Sequence, residues 1–238
     1  MVAILELTVR QLAGSRRIWL VLALVSLPLL AAVVFHLADS TTPSGEYADH
    51  VTARLVASVI LPLVMLLFAT SAFGDELADR TLVYLALKPL PRWHIVAPKM
   101  LASLLVGGLP VAISGLVAVA VIEQGDARGA IATGIGLLVG ATAYAAIFTW
   151  AGLATRHALV IGLVYVFVWE AALAAYLDGI RFLSVRRYTL GLIDGLDGER
   201  LSSLDARLGA GASAVCAALA IVLFSALAVR KLMRIDVP

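Results

Sequence analysis

Charge is scarce in this chain of 238 residues: only 14% are Asp, Glu, Lys or Arg, where a soluble domain carries roughly 25%. A single water-soluble core is therefore excluded, because the apolar surplus would have to surface as patches that soluble monomers do not tolerate. Cysteine is nearly missing. Cys216 stands alone, which rules out an intrachain disulfide and leaves too few thiolates for a cysteine-based zinc site. The four histidines, His36, His50, His94 and His157, are scattered without an HExxH spacing, so no metal site is expected. No GxSxG turn and no GxxxxGK[ST] phosphate loop occurs, which leaves neither a nucleophile elbow nor the means to hydrolyse a nucleotide. With 18 basic and 16 acidic residues the net charge is +2, too balanced for a nucleic-acid partner.

What is present is apolar: 62% of the residues are hydrophobic and the mean hydropathy is +1.00. A helix needs roughly 20 such residues to cross a hydrocarbon core of about 30 Å. Six stretches have that length, about 18–37, 51–73, 100–122, 130–153, 158–177 and 209–229. An all-α membrane protein with one transmembrane domain over 1–238 is expected. An even number of spans puts both ends on one side. The ends and even-numbered loops hold 11 basic residues against five acids, the other face seven against ten, so the positive-inside rule places both termini in the cytoplasm. The first apolar run exceeds the roughly 7 to 15 residues of a signal-peptide core, and it is expected to be retained as a span. Ahead of it, Leu5, Val9 and Leu12 share one helical face, the pattern of a helix lying in the membrane interface.

The most patterned loop is cytoplasmic, from Gly74 to Pro98. Asp75, Glu76 and Asp79 suit the start of a helix, and Pro89 with Pro91 would stop it. Leu82 and Leu85 share a face with Ala78, leaving an apolar strip outside the membrane that packs either on the chain's own helix ends or on a partner.

The order Asp75, Glu76, Thr81, Leu82, Leu85, Leu87, Pro89, Arg92, Trp93 and Lys99 resembles the cytoplasmic signature of type-2 ABC transporter permeases, departing from it at Arg80 and Pro98. The resemblance implies that this loop forms a coupling helix between spans 2 and 3. Asp75, Glu76, Asp79, Arg80, Thr81, Leu82, Leu85, Pro89 and Arg92 would then meet a separate ATP-binding subunit. It further implies two copies of that subunit, which carry ATP and Mg, and a second permease subunit, either another copy or a related chain. No cofactor is expected in this chain. The implied function is that of the membrane-embedded subunit of an exporter in a bacterial plasma membrane. The apolar spans favour a hydrophobic or amphipathic cargo.

Beyond the loop, Asp178 to Leu208 carries enough apolar residues to form short helices at the outer leaflet, where Arg186 and Arg187 are expected to be solvated or paired with nearby Asp residues, with contact to lipid phosphates or an anionic substrate as the alternative. Glu170 is the one acid well inside a span and a candidate for the substrate pathway, with a protonated carboxyl hydrogen-bonded to a neighbouring helix, or a group near enough to the outer interface to reach water, as the alternatives. Arg54, in the first turn of its span, reads as an interface anchor. Gly136 with Gly140, and the Ala210, Ala214, Ala218 series, are helix-packing signals, and Pro28, Pro62 and Pro110 are candidate kinks. Two other functions compete. A membrane enzyme acting on lipid needs a polar cluster at one leaflet, and a secondary transporter needs internal repeats and more buried charge. The sequence offers neither pattern clearly.

Overall fold

The computed structural model describes residues 2–14, 16–37, 48–78, 91–122, 127–155, 157–173, 184–198 and 209–234. Every element among them is helical. In chain order they are α1 (Val2–Ala13), α2 (Arg17–Leu37), α3 (Ala48–Ile60 continued by Leu61–Ala78), α4 (Trp93–Ile122), α5 (Ala127–Ala154), α6 (Ala158–Val164 continued by Tyr165–Leu173), α7 (Val185–Asp197) and α8 (Ala210–Met233). Five, namely α2, α3, α4, α5 and α8, are long and apolar enough to cross a bilayer. The apolar part of α6 is shorter, and residues 174–177 of the expected fifth span lie outside the described residues.

Helix α5 is the axis of the bundle, packed against α3, α4, α7 and α8. Its sequence explains that position. Small residues such as Gly136, Gly140, Ala141, Ala145 and Gly152 are buried along it and let neighbouring backbones approach, which is how helices associate where lipid removes the hydrophobic drive. A Cβ on Gly152 would stand 2.9 Å from the Thr70 carbonyl oxygen on α3. The Gly136 and Gly140 pair serves a contact within the chain. Added Cβ atoms there would lie 2.3 Å from Ile193 Cγ1 and 2.1 Å from Thr189 Oγ1, both on α7. By contrast Ala214 and Ala218 are exposed on α8, so they are not used for packing among the described residues. Helices α2 and α8 are peripheral, with 17% of their apolar windows buried against 72% in α3 and α5, and their Leu20, Val34, Val222 and Leu223 face outward.

Two of the three internal prolines foreseen as kinks follow a widened, π-type stretch: Ala48–Ile60 ends two residues before Pro62, and Leu104–Gly108 two residues before Pro110. Proline lacks the N–H for the normal helical bond, and its ring crowds the carbonyl four residues back; a wider turn relieves both. Pro28 sits in a helix without this widening. Helix α4 begins at Trp93, seven residues before the expected start of the third span at Met100, because Pro91 and Arg92 open a helical turn in which the Arg92 carbonyl accepts from Ile95 and Val96, both at 3.1 Å. Helix α1 turns Leu12 fully, and Leu5 and Val9 partly, onto the core, lying along the first part of α4.

Candidate functional site

Polar side chains gather at two places, one at each end of the bundle. The first lies where α3 ends and α4 begins. The Lys99 side chain is 1% exposed, and its Nζ is 2.6 Å from Glu76 Oε1. The same ammonium donates to the Ala72 carbonyl and stands 4.5 Å from the centre of the Phe73 ring. Those partners all lie in the last turns of α3, so one cation from α4 is wrapped by a carboxylate, a carbonyl and an aromatic face of its neighbour. A buried ion pair contributes little net stability compared with an apolar replacement, but removing one member leaves the other uncompensated. Close by, Arg17 at the start of α2 donates to Ser71 Oγ, which donates in turn to the Leu67 carbonyl.

This cluster closes the base of the segment singled out in the sequence. Glu76 stands on its entering stem and Lys99 on its leaving stem. Of the residues expected to contact an ATP-binding subunit, Asp75 and Glu76 fall in the last turns of α3 and Arg92 caps α4. Asp79, Arg80, Thr81, Leu82, Leu85 and Pro89 lie outside the described residues. The sequence marked Lys99 only as part of a motif. Its burial follows from the early start of α4, which carries position 99 nearly two turns into the helix and against α3.

The second place surrounds Glu170, which is 2% exposed. Its Oε1 accepts from the Tyr165 hydroxyl at 3.1 Å and from the Val185 N–H at 2.9 Å, and its Oε2 accepts from the Ser184 hydroxyl at 2.6 Å. Ser184 is the N-cap of α7, where its Oγ also accepts from the Arg187 N–H, so the carboxylate sits at the positive end of a helix dipole. At the other end of α7, Gly198 takes the left-handed conformation at φ 90° and donates to the Asp194 carbonyl, while Arg128 Nε from α5 donates to the Leu196 carbonyl. Helix α7 is thus held at both ends and seated along its length on the Gly136 and Gly140 notch.

Glu170 also lines a cavity of about 240 Å³ together with Arg54, Ser58 and Arg186. Arg54 is exposed at this position, while Arg187 is 6% exposed, so of the two expected roles, solvation or pairing, burial removes only solvation for that second arginine: the helix that carries it lies against α5 and turns it inward. Burial first, and then the neighbouring Cys216 and Glu170, push the Tyr188 phenol above its ordinary value, keeping it a neutral hydroxyl. Tyr165 and Ser184 carried no motif in the sequence. Both meet Glu170 only because the wide turns of Tyr165–Leu173 and the cap of α7 come together. Among the described residues no group of three or more His, Cys, Asp or Glu is placed to hold a metal ion.

A family model described as ABC-2 family transporter protein matches residues 14–177, more than two thirds of the chain. The matched stretch contains α2 through the described part of α6, including both Glu76 with Lys99 and Glu170. Comparison with curated proteins gives no match.

Proposed function

The chain belongs to the ABC-2 transporter family and is a multi-pass membrane protein, and from that premise we propose that it is the permease subunit of an ATP-driven exporter. Its partners are two copies of an ATP-binding subunit, which hold ATP and Mg, and a second permease subunit. Both termini and the segment from 75 to 92 face the cytoplasm of a bacterial cell, an orientation that the excess of basic residues on that face supports. The cargo is hydrophobic or amphipathic, in keeping with spans that carry so little charge.

The observation that supports this reading best is the Glu76 to Lys99 pair at the root of the coupling segment. A push delivered by the ATP-binding subunit to residues between 79 and 90 reaches two stems already joined by a buried ion pair. Helices α3 and α4 then move as one rigid element, the kind of packed unit that converts a local displacement into a discrete rearrangement. Helix α3 packs on the central α5, so the movement is delivered to the axis of the bundle. In this reading Glu170 is a positioning residue that fixes α6 to α7 at the far end.

The test is co-purification from membranes with a soluble protein that carries the GxxxxGK[ST] loop. Leu82→Asp or Leu85→Asp is expected to abolish it while leaving the permease in the membrane. Association that survives both charges would overturn the proposed seat.

A further inference from the structure

Between α5, α6, α7 and α8 lies a cavity of about 450 Å³ that shares Tyr165 and Val185 with the Glu170 cluster but turns a different chemistry inward. Four aromatic side chains line it: Tyr165 and Trp169 from α6, Tyr188 from α7 and Phe224 from α8. None of the described residues lining it is charged, whereas the smaller cavity that Glu170 itself lines has Arg54 and Arg186 in its wall. The volume lies in the range of small-molecule sites and far above the water-sized voids that close-packed interiors leave. Its edge is formed by Leu219 and Leu223, 64% and 56% exposed on the outward face of α8, so the cavity opens on the outside of the bundle. The wall is also stiff. The Tyr165 hydroxyl is tied to Glu170, and Val185 donates its N–H to the same carboxylate.

We propose that this cavity is a binding site for an uncharged, ring-bearing apolar molecule that enters from the bilayer. Ring faces on several walls suit offset or edge-on stacking with a planar guest. A charged guest would be desolvated there without an oppositely charged side chain among the described lining residues, which is costly. The role of the site as the holding place for cargo rests on the permease reading, whereas binding itself does not.

Cys216 lines the cavity and is the one cysteine of the chain, so its alkylation reports occupancy. The experiment uses the full chain in lipid nanodiscs, a small maleimide, and two dyes at matched concentration in the bilayer: N-phenyl-1-naphthylamine, which is neutral, and 8-anilinonaphthalene-1-sulfonate, its sulfonated relative. The neutral dye at saturation is expected to slow labelling about tenfold, and the sulfonate less than about twofold, because an unpaired buried charge opposes entry. Ala220→Leu narrows the cavity and is expected to raise the half-protecting concentration of the neutral dye about tenfold, roughly the loss of 1.4 kcal/mol of binding. Unaltered helicity and elution would show that the variant is folded, and Ala220→Ser provides a second folded control that keeps the space. An unchanged labelling rate with the neutral dye, equal protection by both dyes, or an unshifted concentration in a folded Ala220→Leu chain would each overturn the site. If protection holds but the neutral dye fails to stimulate ATP hydrolysis by the assembled complex, the transport role falls and the binding site stands.

Discussion

Lys99 shows how far a single side chain can be read from its partners. The cation is enclosed by Glu76, the Ala72 carbonyl and the Phe73 ring, so its removal is predicted to cost more than its presence contributes. Lys99→Met is expected to destabilise the chain by about 3 kcal/mol by leaving Glu76 unpaired, while the double variant Lys99→Met with Glu76→Gln recovers most of that loss. Thermal unfolding in detergent, followed through the four points of the cycle, measures the coupling; additive losses would contradict the pair. Glu170 obeys the same logic with neutral donors. Glu170→Ala strands the Ser184 hydroxyl and the Val185 N–H in a buried place, with an expected loss of about 2 to 4 kcal/mol, and Glu170→Gln keeps the shape and loses less. If Glu170 were instead a group in water contact, both changes would leave the melting temperature alone.

At the scale of elements, the seat of α7 on α5 depends on two absent methyl groups. Gly140→Ala is predicted to cost about 1 to 3 kcal/mol, because its Cβ would fall 2.1 Å from Thr189 Oγ1, a side chain that is itself fully buried and bonded to the Val185 carbonyl. Thr189→Ala in the same chain removes the clashing oxygen and should restore part of the stability; no rescue would mean that the notch is filled some other way. The Gly136 and Gly140 signal was legible in the sequence, but its partner was not, because small residues announce a close approach without saying what approaches. The same holds for Leu5, Val9 and Leu12: their shared face was plain from spacing, and only the fold shows it lying along α4. The long apolar runs gave away the helices that could cross a bilayer, since length and hydropathy alone decide that property. The start of α4 ahead of the apolar run was not legible for a local reason. Charges at Arg92 and Lys99 look like the edge of a membrane segment until a neighbouring helix supplies a carboxylate for one of them.

For the whole molecule, the described helices form a bundle around α5 with polar clusters near both ends, Glu76 with Lys99 at one and Glu170 with the α7 cap at the other. That arrangement suits a machine driven from one end, in which the far cluster holds its elements in register while the near one receives the stroke. The proposed drive enters through a segment whose apolar strip, Leu82 and Leu85, needs cover that a membrane cannot give if the strip faces the cytoplasm. The most direct measurement places a cysteine at that strip, Leu85→Cys with Cys216→Ser, and follows its reaction with a membrane-impermeant maleimide in sealed vesicles of defined orientation, with and without the ATP-binding subunit. Labelling in inside-out vesicles alone, suppressed when the subunit is present, is the predicted result; labelling in right-side-out vesicles, or a rate indifferent to the subunit, would contradict the account.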